Sequence, residues 1–209
     1  VLRGTGGVKP LTIIGLNDFH GQLDPTTMVM DGLNVNVGGA SQLATMFDED
    51  AATLPGPALL LAGGDNVGAS PPNSGLLEDR PAIDVENAWG LDATSYGNHE
   101  FDFGLERLLM HQERADFPFL ATNIVEEDTG QIPDWVTPSV VFTVNGVKVG
   151  VIGAALEETP ELVRAGATEG LEFLPAAESV AAESRRLAEQ EGVRVQILAI
   201  HEGTALGSN

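Results

Sequence analysis

Acidic, amide and imidazole side chains gather in four short clusters along this chain, each directly after an apolar run. Leu11–Leu16 (LTIIGL) leads into Asn17, Asp18, Phe19, His20 and Gly21, and Ala58–Ala62 (ALLLA) leads into Gly63, Gly64, Asp65 and Asn66. Ala93–Tyr96 leads into Gly97, Asn98, His99, Glu100, Phe101 and Asp102, and Val195–Ile200 (VQILAI) into His201, Glu202 and Gly203. Asp18 and His20, two apart, share one face in extended geometry and can grip a single cation. Asp65 can add a third donor or bridge two ions through its two oxygens. Asn98 offers a neutral carbonyl oxygen and His201 an imidazole nitrogen. Such a mixed donor set suits Mn, Fe, Co, Ni or Zn and argues against the all-oxygen cage that Mg or Ca takes. The fourth histidine, His111, lies in a helical pattern between Glu and Arg neighbours and reads as solvated surface. Glu100 and Glu202 read as outer supports or surface groups.

The elements that must position these groups are legible from hydrophobic pattern. The four apolar runs read as strands, the one ending at Tyr96 being the weakest. Val140–Val144 and Val147–Ala154 flank Asn145-Gly146, a two-residue turn signal for a hairpin. Helical patterns cover Ala40–Thr53, Ile83–Trp89, Leu105–Ala115 and Ala176–Gln190, the last stopped by Gly192. Strands alternating with helices predict an α/β layered fold, with a sheet made mixed by the hairpin. Open α/β sheets build their sites just past the carboxyl ends of the strands, where all four clusters fall. Stretches 17–38 and 64–80 carry little periodicity and read as long functional loops.

Composition narrows the partners. With 209 residues and 43% hydrophobic content, the chain can bury a sizeable core as one domain. Ten Lys and Arg against 31 Asp and Glu leave a net charge of −21, which repels nucleic-acid backbones and anionic membranes. Any phosphate handled here needs cations or local positive dipoles. The absence of cysteine excludes disulfides, thiolate-bound metal and thiol nucleophiles. No apolar run reaches the ~18–20 residues of a membrane helix. The Gly63–Ser70 run (GGDNVGAS) lacks the spacing and the Lys of a phosphate-binding P-loop.

Taken in order, NDFHGQL, GGDNVGAS, YGNHEFDFG and HEG resemble the successive blocks of the calcineurin-like metallophosphoesterases. Within them the chain resembles the 5′-nucleotidase / 2′,3′-cyclic-nucleotide phosphodiesterase branch, from about Leu11 to Gly203. The resemblance implies a layered sandwich of mixed β-sheets flanked by helices, and two divalent metal ions (Mn, Zn, Co, Ni or Fe). Asp18 and His20 would bind the first ion, Asp65 would bridge, and Asn98 and His201 would bind the second. His99 would be the catalytic histidine, oriented by Asp102, with Asn98 and His99 also meeting the phosphate. Asn123, in LATNI, matches a recurrent family Asn, as a loop tie or a substrate contact. The family draws further ligands from a Gly-His-x-His/Gln segment that residues 1–209 do not contain. The resemblance therefore reads the chain as an amino-terminal metallophosphoesterase domain of a longer enzyme, each ion one ligand short. A nucleotide-binding domain would follow it in two-domain relatives.

The implied activity is metal-dependent hydrolysis of phosphate esters, of nucleotides above all, outside the cytoplasm: secreted, periplasmic or on the cell surface. Implied partners are small-molecule nucleotides, with no nucleic acid polymer and no membrane segment. Two other classes compete. The chain could be a non-catalytic binding module with the same fold, or a metal-independent hydrolase using Ser70, although no GxSxG elbow is present.

Overall fold

The computed structural model describes residues 7–203. In chain order the elements are β1 (Thr12–Leu16), β2 (Thr26–Met30), β3 (Leu33–Val37), α1 (Ala40–Thr53), β4 (Ala58–Ala62), α2 (Pro72–Gly75), α3 (Arg80–Trp89) and β5 (Ala93–Ser95). A 3₁₀ turn at His99–Phe101 precedes α4 (Leu105–Arg114), β6 (Phe119–Leu120), β7 (Ile124–Glu126), β8 (Ser139–Val144) and β9 (Val147–Ala154). Then come α5 (Thr159–Leu162), β10 (Leu171–Phe173), α6 (Ala176–Gln190) and β11 (Val195–Ile200).

Two sheets stack at the centre. The first is parallel, in the order β1-β4-β5-β6; the second is mixed, β11-β9-β8, with β11 parallel and β8 antiparallel to β9. The run ALLLA shows why this buries well. Leu59 and Leu61 point between the sheets onto Val149, Val151 and Ala199, while Leu60 and Ala62 point the other way onto Ile83, Tyr96 and Leu108. A strand covered on both faces needs an unbroken apolar run rather than alternation. On the far side of the second sheet, Leu187 of α6 packs on Ile152 and Val193. The layers are thus helices, sheet, sheet, helix, and the layered α/β expectation holds. At Gly153 of β9 the two sheets approach tightly: a Cβ there would collide with the Leu120 carbonyl of β6, so only glycine fits.

The expected hairpin forms, its turn at Asn145 and Gly146 with φ of 51° and 72°, and Val144 pairs Val147. One expectation fails. Residues 17–38 are not wholly loop: β2 and β3 pair from Thr26↔Val37 to Met30↔Leu33 around Asp31-Gly32. That turn has the same left-handed pair, φ 51° and 79°, as Asn145-Gly146. Its strands escape the pattern because nearly every residue in them is exposed, so neither face imposes a period. Likewise α3 starts at Arg80, three residues before the first apolar position of its pattern, and α2 interrupts stretch 64–80.

Candidate functional site

β1, β4, β5 and β11 end on one side of the molecule, and the four clusters meet there. The loops after β1 and β4 run side by side: the amides of Asp18, His20 and Gly21 donate to the carbonyls of Gly64, Asp65 and Asn66. That alignment bends the backbone hard. Asp18, His20 and Asp65 all take the left-handed conformation, with φ of 52°, 47° and 53°. The extended geometry expected for Asp18 and His20 is therefore absent, yet the two side chains still converge, Nε2 of His20 lying 3.8 Å from Asp18. Non-glycine residues rarely hold such angles, and they persist where the surroundings over-determine them, as at functional sites.

Asp65 is the centre. It is 3% exposed, with Oδ2 3.2 Å from His201 Nε2 and 3.7 Å from His20 Nε2, while Oδ1 accepts the His99 amide at 2.9 Å. Burial works against its charge, but the His201 contact, the His99 amide and the nearby imidazoles outweigh it and hold the carboxyl below its usual range. His201 is raised to about 9, chiefly by Asp65. Both metal-type imidazoles are locked by carbonyls. Nδ1 of His20 donates to Gly68 O at 2.9 Å and Nδ1 of His201 to Gly63 O at 3.0 Å, so each turns an unprotonated Nε2 toward Asp65 when neutral.

His99 stands across from His20, ring edge to ring face at 5.0 Å. The 3₁₀ turn brings Asp102 under it, and Nδ1 donates to the Asp102 carboxylate at 2.7 Å. Burial disfavours its imidazolium, yet the Asp102 hydrogen bond and the Asp65 and Glu100 charges prevail and raise its pKa. Asn98 opens this turn and is nearly buried. Asn123 sits deeper. Its side chain donates to the carbonyls of Ala155 and Leu174 and accepts the Ala155 amide, and so ties the segments after β9 and β10 together. Ser70 donates to the Gly68 carbonyl and Glu202 is exposed.

Glu100, expected as an outer support or a surface group, proves to be the former, while Asp79 and His111 gain roles that their sequence positions did not signal. Glu100 is a hub: its two oxygens accept the amides of Asp65, Asn66 and Gly97 at 3.0, 2.8 and 2.5 Å. Burial, with Asp65 beside it, pushes its carboxyl up to about 7 despite those amides. Asp79 holds Gly68 and Ser74. His111, expected on the surface, is 2% exposed, and its Nε2 donates to the Glu78 carbonyl at 2.7 Å. Its neighbours Glu113 and Arg114 on α4 are exposed while it points in, a distinction that neighbours in sequence do not carry.

Burial lowers the His111 pKa, partly offset by the Glu78 carbonyl. A histidine kept neutral by the fold stabilises above its unfolded value of 6.5 and loses that contribution as pH falls through it. Urea unfolding of the wild type and of His111→Gln should therefore diverge less at pH 5 than at pH 7.5. A constant difference would place the imidazole in contact with water.

His20, Asp65 and His99 form one group, and Asp18, Asp65 and His201 another, whose donor atoms all lie within 4.8 Å of each other. Asp18 and His20, expected to share one ion, fall in different sets, and the two sets are joined through Asp65. Among known proteins, no family model matches the chain. A cell wall protein of Listeria monocytogenes is 34% identical over 217 residues, taking in 92% of this chain and 27% of that protein. A 5′-nucleotidase of Vibrio cholerae is 32% identical over 163 residues, 78% of this chain and 28% of its own length. The crystal structure of a 5′-nucleotidase precursor from Thermus thermophilus superposes with a TM-score of 0.78 at 27% identity, over 91% of this chain and 37% of that one. The chain spans about a quarter to a third of the curated relatives it matches. With sequence and fold both shared along most of its length, the chain belongs to the 5′-nucleotidase family of calcineurin-like metallophosphoesterases.

Proposed function

We propose that this chain is the amino-terminal catalytic part of a longer hydrolase that cleaves phosphate esters of nucleotides, 5′-monophosphates or 2′,3′-cyclic esters, with two divalent cations. The observation that carries this reading is the Asp65 carboxylate set between His20 Nε2 and His201 Nε2, each imidazole already oriented by a backbone carbonyl. These residues fit a pair of first-row cations in donor chemistry as well as in convergence. Asp18 and His20 would hold one ion, Asn98 and His201 the other, and Asp65 both. Bound there, the ions supply water activation near neutral pH and neutralise phosphoryl charge, which a chain of net charge −21 otherwise repels.

The chain's own residues do the rest. His99 is made a stronger base by Asp102, and its imidazolium form can donate the Nε2 proton to the leaving ester oxygen or to a phosphoryl oxygen in the transition state. Asp102 keeps the ring in that orientation. Glu100 fixes the peptide units of Asp65, Asn66 and Gly97, and so keeps Asp65 in its strained conformation. Likeness to a 5′-nucleotidase supports nucleotide substrates, and likeness to a cell wall protein supports secretion or a surface location. No helix among the described residues is long and apolar enough to cross a membrane.

The test is hydrolysis of AMP and of 2′,3′-cyclic AMP by the full-length protein with added Mn²⁺, then after chelation. Activity should vanish with the metal and return on adding it back. His99→Ala should lower kcat about 10²–10⁴-fold and leave bound metal unchanged. Loss of metal in that variant would make His99 a ligand. Turnover that survives chelation would overturn the metal reading altogether.

A further inference from the structure

Behind His20 lies a chain of contacts that runs from helix α4 to the imidazole. Gly68 is its last link. Its carbonyl accepts His20 Nδ1–H at 2.9 Å, and its amide donates to Asp79 Oδ2 at 3.3 Å. Gly68 is left-handed, φ 76°, and pressed against the other half of the site: a Cβ there would stand 2.7 Å from Asp102 Oδ2 and 2.8 Å from His99 Cβ. The peptide that sets His20 has no room to be held from that side. It is held from behind. Asp79 is 1% exposed, and its second oxygen accepts Ser74 Oγ–H at 2.7 Å. Ser74 in turn abuts Gly21, the residue after His20, where a Cβ would clash with the Ser74 side chain.

Asp79 is itself braced. Glu78 and Asp79 are consecutive non-glycine residues in the left-handed region, φ 63° and 57°. Two such residues in a row are costly and need outside support. His111 supplies it through the Glu78 carbonyl, and Arg107 and Arg80 pair with the Glu78 carboxylate. A buried carboxylate held in a strained turn, whose free oxygen meets one amide, has a positional task rather than a solvation one.

We propose that Asp79 is a positioning residue for His20: by fixing Gly68 it aims the Gly68 carbonyl at Nδ1 and so commits His20 to the tautomer and orientation in which Nε2 faces Asp65. His201 is set by Gly63 instead and lies outside this control. The effect on cation binding rests on the proposed metal reading, whereas the effect on the imidazole does not.

The experiment is ¹⁵N NMR of histidine side chains in the metal-free 209-residue chain, with His20 assigned by its loss in His20→Gln. Wild-type His20 should show a single neutral form with the proton on Nδ1, and His201 one form of its own, protonated on both nitrogens at neutral pH through its pairing with Asp65. In Asp79→Asn and Asp79→Ala, His20 should become a mixture of tautomers while His201 keeps its own. Ser74→Ala, which removes only the far-side bond to Asp79, should leave His20 as in the wild type or shift it less than either Asp79 variant does. Calorimetry of the full-length protein with Mn²⁺ alone should show affinity reduced about 10–100-fold in the Asp79 variants, the usual effect of removing support behind a ligand. Wild-type His20 protonated on Nε2 would overturn the assignment without any variant, which keeps it testable should the variants fail to fold. So would a folded Asp79→Ala whose His20 signals are unmoved. A wild type that binds no Mn²⁺ but shows the tautomer shift would overturn the metal reading and leave Asp79 as assigned.

Discussion

Asp65→Asn should abolish the proposed metal-dependent hydrolysis and weaken Mn²⁺ binding by about 100-fold or more, beyond what losing an outer support typically costs. The substitution keeps shape and burial but replaces the oxygen nearest both Nε2 atoms with a group that cannot serve two cations. The metal-free protein should change as well. Asp65 raises His201 from 6.5 to about 9, so their pairing stabilises the fold fully below pH 6.5 and is lost as pH rises through 9. In Asp65→Asn that loss has nothing to act on, and stability between pH 6.5 and 9 should depend less on pH. Titration calorimetry and urea unfolding read the two effects separately. Retained Mn²⁺ affinity would remove Asp65 from the centre of the site.

The second large effect is a gain. Glu86→Leu should stabilise the chain at pH 8 by about 1–3 kcal/mol, the typical desolvation cost of a buried polar group left without partners. Glu86 lies on the inner face of α3, fully buried, and neither carboxylate oxygen has a hydrogen-bond partner among the described residues. Burial, with Glu100 adding, lifts its pKa well above 4.5. An acid with a raised folded pKa carries no ionisation penalty below its unfolded value, and the penalty grows as pH climbs from there toward the folded one. The gain from Glu86→Leu should therefore be smaller at pH 4 than at pH 8. Glu86→Gln should flatten the pH dependence and gain less, because its amide still needs partners. Equal gains at both pH values would mean the carboxyl is solvated.

Much of this was legible beforehand, for a reason that particular residues show. Asp18, Asp65, His99 and His201 announce themselves because a buried strand is a short apolar run and its end is marked by glycine and polar residues. The i, i+3 spacing of His99 and Asp102 is local, so their contact follows from one turn. What stayed hidden depends on contacts across the fold. Glu100 reads as either an outer support or a surface acid, and only the amides of Asp65 and Asn66, some 35 residues away, decide between the two. Asp79 and His111 act through backbone atoms of Gly68 and Glu78, which leave no trace in residue type. The left-handed conformations of Asp18, His20 and Asp65 were equally invisible, since nothing in an Asp or a His signals φ near 50°. The β2–β3 ribbon hid for the opposite reason, having no buried face to write a pattern.

The junction between the sheets also says something about how the site comes into being. His201 reaches Gly63 across 138 residues of chain, and β11 meets β9 in one register, Ala199↔Gly153 and Ile200↔Ala154. Contacts so distant in sequence form only after the entropy of closing a very long loop has been overcome. A slip of one residue along β11 would move His201 by about 3.3 Å and send its side chain to the opposite face. Such a molecule would hold every helix and strand, every proposed ligand and nearly all of its core, and would still have no working site. The cluster around Asp65 is thus an unforgiving reporter of folding, assembled only when β11 has found its place to the residue.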